Sequence, residues 1–422
     1  MILRTLEDAD ISQKTVLFRV DYDTPTQGTG KNKQIADDSR IRLTLPTLNY
    51  LLDHHCKIVI LAKHGRPNGQ VDARFRLDPM AKSLSQLIGK KVVKLNHTIG
   101  PEVEKYIATM RPQDIVMLEN TRFLPGETTN DPQTAKALAK LGDIIVNDGF
   151  SISHRAHASV AGIAQYLPMV AGLHLEKEVK MLSHLLQNPQ HPFVVIVGGA
   201  KVSDKVAVID NLSQIADAVL VGGGVANNFL KAQGKKVFKS YLEDIIVDQR
   251  KRRLDFVKLA QKLLANPQGQ PMLLNGFIPL SKILTPLDVI AATQIKNNIA
   301  TTTVDLIHPH NNAKLNPKLM YLDIGPKTIK LYREIILQAE TIFWNGPMGV
   351  FEKKPFERGT FEIASAIARS KALTVLGGGD TLAVIQKFGL SDRYDYVSAA
   401  GGAALEFLAG HQLPGLTPMI AK

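Results

Sequence analysis

Eight short apolar runs rich in β-branched residues recur along the chain. Each leads into a glycine-bearing or polar turn and then usually into a stretch with helical periodicity. They are TVLFRV (15–20), KIVILA (57–62), DIVML (114–118), DIIVN (143–147), FVVIV (193–197), AVLV (218–221), TIFW (341–344) and LTVLG (373–377). Runs that are apolar throughout, rather than at alternate positions, suit strands buried on both faces, and helices returning between them make such a sheet parallel. The expected class is therefore α/β with mainly parallel sheets. A chain of 422 residues exceeds what one hydrophobic core serves, so two lobes are expected. Between Pro168 and the NPQHP turn, LEKEVKMLSHLLQ reads as one amphipathic helix connecting them.

Composition narrows the setting. Hydrophobic residues at 45% and charged residues at 21% are ordinary globular values. The single cysteine, Cys56, has no partner for an internal disulfide or a thiolate metal site, which points to a reducing compartment, the cytoplasm by default. The opening MILRTLEDAD lacks the layout of a secretory signal, and no apolar run approaches the roughly 18 residues of a membrane span, so no membrane association is expected. A net charge of +12 favours anionic partners: nucleic acid, a membrane surface or a small anionic substrate. The tightest basic run, Arg250–Arg253, falls in VDQRKRRLDFVKLAQKLL and reads as the solvated face of a helix. Residues 266–318 are the least patterned and carry no functional reading.

In open α/β sheets ligands bind beyond the carboxyl ends of the strands, so the residues just after each strand matter most. In the first half these are cationic. Arg19 and Asp21 end the first run, Arg40 follows in DDSRI, and KIVILA leads into Lys63, His64, Gly65 and Arg66. Arg122 lies in LENTRF, and His154, Arg155 and His157 lie in SHRAH. One such arginine would be an ordinary surface ion pair. Recurrence after four strands describes a crevice for a small polyanion, since guanidinium forks pair bidentately with phosphate and carboxylate oxygens. The two outer histidines fit a packed turn as well as a ligand contact.

In the second half the same positions hold glycines: VGGAKVSDK (197–205), VGGGVANN (221–228), WNGPMGVFE (344–352) and LGGGDTLA (376–383). Glycine lets backbone approach a phosphate, and a helix opening behind the turn aims free N–H groups at it, so a nucleotide is expected on this half. Lys201 and Lys205, four apart, would share a face if a helix began at the turn. Asp380, before Thr381, either caps its helix or holds the Mg²⁺ that bridges nucleotide phosphates. Neither a GxxxxGK[ST] nor a GxGxxG pattern occurs.

The strings RVDYDTP, HGRP, MLENTRF, VNDGF with HRAHAS, GGAKVSDK, GGGVANNFL, DIGPKT, WNGPMGVFE, GGGDT and GGAALEFLAG with LPG run in this order from about residue 15 to residue 415. In kind and order they resemble the motifs of the phosphoglycerate kinase family. The resemblance implies two Rossmann-like lobes joined by a connecting helix and hinge. Residues 1–170 would bind phosphoglycerate, 171–192 would form the helix and hinge, 193–395 would bind nucleotide, and 396–422 would return to the first lobe. The implied reaction is reversible transfer of the acyl phosphate of 1,3-bisphosphoglycerate to ADP, giving 3-phosphoglycerate and ATP, with Mg²⁺. The implied enzyme is a cytoplasmic monomer with no nucleic-acid partner.

By the same resemblance Asp21, Tyr22, Asp23, Arg40, Lys63, His64, Gly65, Arg66, Arg122 and Arg155 serve the phosphoglycerate. Lys201, Lys205, Gly223, Asn345, Glu352, Gly378, Gly379, Asp380 and Thr381 serve the nucleotide, with Glu352 on the ribose hydroxyls and Asp380 towards the metal. Arg40 and Lys205 are the expected catalytic residues. No general base is required, because the attacking carboxylate is ionised at neutral pH.

Several positions depart from the family pattern. Asp23 stands where Asn is usual, Lys63 where His is usual and His64 where Leu is usual. VNDGFSISHR replaces VNDAFGTAHR, and Ser398-Ala399-Ala400-Gly401-Gly402 replaces STGGG. Two rival readings remain: a non-catalytic nucleotide-binding scaffold, and a nucleic-acid binder driven by the basic surface.

Overall fold

The computed structural model describes residues 1–421 other than 29, 31–32, 248–252, 266–271, 277 and 309–314. The chain divides into two compact units, Met1–Lys180 with Gln412–Lys422, and Met181–His411.

In the first unit six strands form one sheet: β1 (Thr15–Arg19), β2 (Lys57–Leu61), β3 (Val92–Lys94), β4 (Ile115–Met117), β5 (Ile144–Asn147) and β6 (Met169–Ala171). Their order is β3-β4-β2-β1-β5-β6 and every pairing is parallel. Val16, Phe18, Ile58 and Ile60 present alternate positions to one face. There they pack with Leu48 and Leu51 of the helix Leu45–Asp53 and with Met80 and Leu84 of the helix Asp78–Ile88. The opposite-face residues Leu17 and Val59 are equally buried, which is why these runs show no polar alternation.

The second unit repeats the plan with β7 (Phe193–Val197), β8 (Ala218–Val221), β9 (Ile283–Leu284), β10 (Thr341–Asn345), β11 (Leu373–Gly377) and β12 (Tyr396–Ser398). The order β9-β8-β7-β10-β11-β12 is again wholly parallel. Strands add outward from β7 on one side and then on the other, so the direction of winding reverses between β7 and β10. A reversal of this kind leaves a crevice past the carboxyl ends of the two strands.

The expected connector is the helix Leu173–Gln187. It buries Leu175, Val179, Leu182 and Leu185, a stripe at helical spacing. Asp148, at the end of β5, accepts hydrogen bonds from the N–H groups of His174 (3.0 Å) and Leu175 (3.1 Å) and so satisfies the start of this helix.

Three expectations meet a different arrangement. The C-terminal residues that group with the first unit are Gln412–Lys422; residues 396–411 stay with the second, because β12 pairs with β11 and Asn211 Nδ2 donates to Leu408 O at 2.7 Å. The helix expected around the basic run starts only at Phe256. Asp255 Oδ1 accepts from Lys258 N at 2.9 Å and fixes that start, and Ile245–Val247 pairs antiparallel with Arg253–Asp255 ahead of it. Arg250–Arg252 lie outside the described residues. The unpatterned 266–318 stretch contributes β9, then Asp288–Ala292, which pairs antiparallel with Thr302–Asp305 and Met320–Ile324. Among the described residues no helix is long and apolar enough to cross a membrane.

Candidate functional site

At the strand ends of the first unit, Asp21 follows β1 and lies almost buried. It accepts from Arg40 Nη1 and from Ser151 Oγ, and Lys63 Nζ stands 3.3 Å from its other oxygen. Arg40 reaches it from the short helix Ser39–Arg42. Lys63 also donates to Asp23 Oδ2, while Asp23 Oδ1 accepts from Gly65 N at 2.8 Å and lies 3.3 Å from His64 Nδ1. Burial opposes ionisation of Asp21, but the charges of Lys63 and Arg40 outweigh it and hold its pKa below the ordinary value. For Asp23 burial is likewise overcome, by His64 and Lys63.

Beyond this neutralised group, positive charge accumulates. Arg66 and Arg155 are exposed, and Arg122 keeps a buried Nε with no hydrogen-bond partner among the described residues. Burial, reinforced by Arg155 and Arg66 against the pull of Glu127, lowers the pKa of Arg122. Burial, with the charges of Arg122, Arg19 and Arg155, pushes His157 down to about 3, which leaves it neutral. Like charges held this close, with a donor left over, suit an anion with several oxygens.

Four expected members of this group do other work. Arg19 is wholly buried, donating to Ser159 Oγ (3.0 Å) and Leu61 O (3.1 Å) with Glu127 3.9 Å away, because a charge at that depth survives only when paired. Tyr22 points into the core with its hydroxyl 2.8 Å from Thr44 Oγ1. His64 is buried against Asp23 and the edge of Phe75. Gly65 has φ +62°, a Cβ there would strike the Phe75 ring at 2.2 Å, and its N–H is already given to Asp23. Sequence reasoning passed over Asn120. Its amide accepts from the N–H of His64 (3.2 Å) and of Arg122 (3.0 Å) and donates to His64 O (2.7 Å), so it sets the turns that carry Arg66 and Arg122. An Asn two residues past the end of an apolar run, ahead of a turn, is the signal that marks it.

In the second unit a cleft of about 610 Å³ opens past β7, β10 and β11. Lys205, Asn345, Gly378, Gly379, Asp380 and Thr381 line it, joined by Ser203, Asp204, Gly401, Gly402, Glu406 and His411, which sequence reasoning did not assign. Lys205 donates to Asn345 Oδ1, and Asn345 Nδ2 donates to Gly377 O at 2.7 Å, so β10 holds the ammonium beside the last turn of β11. Burial lowers the pKa of Lys205, while Asp380 and Asp204 pull it back. The Thr381 hydroxyl accepts from Gly346 N (2.7 Å) and donates to Gly377 O (2.8 Å), tying the two turns together. Trp344, fully buried, donates from Nε1 to Gly346 O at 2.8 Å and fixes the same turn from below.

The glycines divide by role. Gly198 N donates to Asn345 O and Gly199 N to Pro347 O, and a Cβ on Gly198 would lie 2.1 Å from Pro347 O. A Cβ on Gly223 would lie 2.8 Å from Gly199 O. These turns need glycine to pack on one another. Gly379, Gly401 and Gly402 have nothing within 4 Å of a Cβ, so the open space lies at them. Gly379 starts the helix Gly379–Lys387, whose first N–H groups have no acceptor within the helix. Asp380 lies inside that first turn, with Gly378 at the N-cap position, so it does not cap.

Lys201, Gly223 and Glu352 are not among the residues lining the cleft. Lys201 and Lys205 do not share a helical face, because Lys205 N bonds Val202 O in a turn and the helix begins at Val206. Gly223 borders a separate recess with Asn227, Tyr321 and Met348. No cluster of three or more His, Cys, Asp or Glu suited to a metal occurs among the described residues. An exposed carboxylate such as Asp380 at a helix start fits Mg²⁺, a hard ion that takes one or two carboxylates and completes its shell with phosphate oxygens and water.

Fold and site define a two-unit, doubly wound α/β protein with cationic groups at the strand ends of one unit and a glycine-lined cleft at those of the other. A family model described as phosphoglycerate kinase matches residues 6–411. The phosphoglycerate kinase of Pelotomaculum thermopropionicum is 43% identical over 422 residues, covering 100% of both chains. That of Dictyoglomus turgidum is 45% identical over 418 residues, covering 99% of this chain and 98% of its own. The solved phosphoglycerate kinase of Coxiella burnetii superposes with a TM-score of 0.82 at 36% identity, covering 99% of this chain and 98% of that one. The chain belongs to the phosphoglycerate kinase family.

Proposed function

We propose that the chain catalyses reversible transfer of the acyl phosphate of 1,3-bisphosphoglycerate to ADP, with the acid held by the first unit and the nucleotide by the second. The observation that carries this reading is the orphaned donor of Arg122 amid Arg66 and Arg155, set against the glycine-lined cleft around Lys205. The three guanidiniums hold the non-transferring phosphate of the acid. Arg40, paired with Asp21, neutralises charge that builds on the transferring group. Lys205, partly desolvated and steered by Asn345, supplies a second neutralising charge. The N–H groups at Gly379 and Asp380 bind the nucleotide phosphates. Glu352 contacts the ribose, Gly223 borders the base, and Lys201 supplies charge at the phosphate end.

In the ATP-consuming direction the nucleophile is the carboxylate of 3-phosphoglycerate, so catalysis consists of positioning and charge stabilisation without a general base. Mg²⁺ bound with the nucleotide neutralises phosphate charge, and Asp380 is the residue that would hold it. The buried thiol of Cys56 suits a cytoplasmic setting, and a monomer is the assembly proposed. A coupled assay with 3-phosphoglycerate, Mg²⁺ and ATP tests the reading. Turnover is expected from the native chain, and Arg40→Ala should lose it while keeping ADP affinity. Nucleotide binding by a well-folded native sample without turnover would reject it.

A further inference from the structure

Asp23 presents a physical conflict: a carboxylate accepts hydrogen bonds and repels anions, yet it stands among residues gathered to hold one. The structure shows how the conflict is contained. Both Asp23 oxygens are engaged, Oδ1 by the Gly65 N–H with His64 Nδ1 at 3.3 Å, and Oδ2 by Lys63. Lys63, 12% exposed, lies between Asp23 and Asp21, and Asp21 in turn holds Arg40. The chain Arg40–Asp21–Lys63–Asp23 carries two positive and two negative charges. It links the short helix bearing Arg40 to the turn bearing Arg66, whose conformation depends on Gly65 at φ +62°.

We propose that Asp23 and Lys63 are positioning residues acting as one unit: an internal ion pair that clamps the Lys63–Arg66 turn and cancels its own charge, and so sets affinity for the acid without contacting it. Loss of Lys63 alone leaves a net negative charge facing an incoming anion and releases the turn. Loss of both charges removes the repulsion, and an Asn at 23 still accepts from Gly65. The inference rests on the first unit binding the acid, and turnover by the native chain tests that reading separately.

A double-mutant cycle of Asp23→Asn, Lys63→Met and the pair, with steady-state kinetics for both substrates, tests the proposal. Lys63→Met should raise KM for 3-phosphoglycerate about tenfold or more, Asp23→Asn should change it by less than about threefold, and the double variant should return to within about threefold of the native value. KM for MgATP should hold in all three, which general damage to the fold would not allow. A double variant as weak as Lys63→Met alone, or weaker, overturns the proposal and makes Lys63 a direct substrate contact. Should Lys63→Met not fold, recovery of folding in the double variant supports the internal pair, and a double variant that stays unfolded contradicts it.

Discussion

Lys205, proposed to meet the transferring phosphoryl, is held in a defined place. An ammonium in a partly dry cleft is costly unless a partner directs it, and here Asn345 accepts from it while Asp380 and Asp204 restore part of the lost solvation. Its replacement by Met removes the charge and keeps the stem. We expect kcat to fall at least about a hundredfold, the size typical of removing one preorganised charge stabiliser, with ADP affinity changing less than about tenfold. Turnover within tenfold of native would remove Lys205 from the transferring phosphoryl. At the same scale, Trp344 contributes an indole N–H to the turn that Asn345 and Thr381 complete, so a buried ring supports a polar site.

The connecting helix Leu173–Gln187 begins on a carboxyl group with unusual protonation. Burial pushes the Asp148 pKa up to about 7, against the opposing hydrogen bonds from Leu175 and His174. An unfolded aspartate titrates near 3.9, so between about pH 4 and pH 7 the folded state binds more protons and stability falls as pH rises. Asp148→Asn keeps an acceptor for the helix and has no charge to bury. Denaturant titrations from pH 4 to 8 should show a decline in the native chain through that window that is reduced in the variant; parallel curves would contradict the assignment.

Elements also mark where the sequence was legible. Long central strands such as Phe193–Val197 and Leu373–Gly377 coincide with their apolar runs, because burial on both faces writes itself into consecutive residues. Edge strands of two or three residues, Ile283–Leu284, Val92–Lys94 and Tyr396–Ser398, are too short to show a period. The crevice residues could be located from their place after each strand, but not their depth. Arg19 and Arg40 look alike in sequence, yet one is sealed beneath Ser159 and Glu127 and the other reaches Asp21 at the strand ends. Glycines likewise look alike, and only the three-dimensional approach of Gly198 to Pro347 separates packing from open space at Gly379.

For the whole molecule, in-line transfer requires acid and nucleotide to meet with water excluded. Small-angle scattering should record a smaller radius of gyration with 3-phosphoglycerate and Mg-nucleotide together than with either alone. An unchanged value would contradict a hinge at the connecting helix.

The division of ligands between the two units is tested most directly by hydrogen exchange with each ligand alone. With 3-phosphoglycerate, amides near Asp21, Gly65, Arg122 and Arg155 should gain protection; with Mg-ADP, those near Lys205, Gly346 and Gly379 should. Protection by both ligands within one unit would contradict the account.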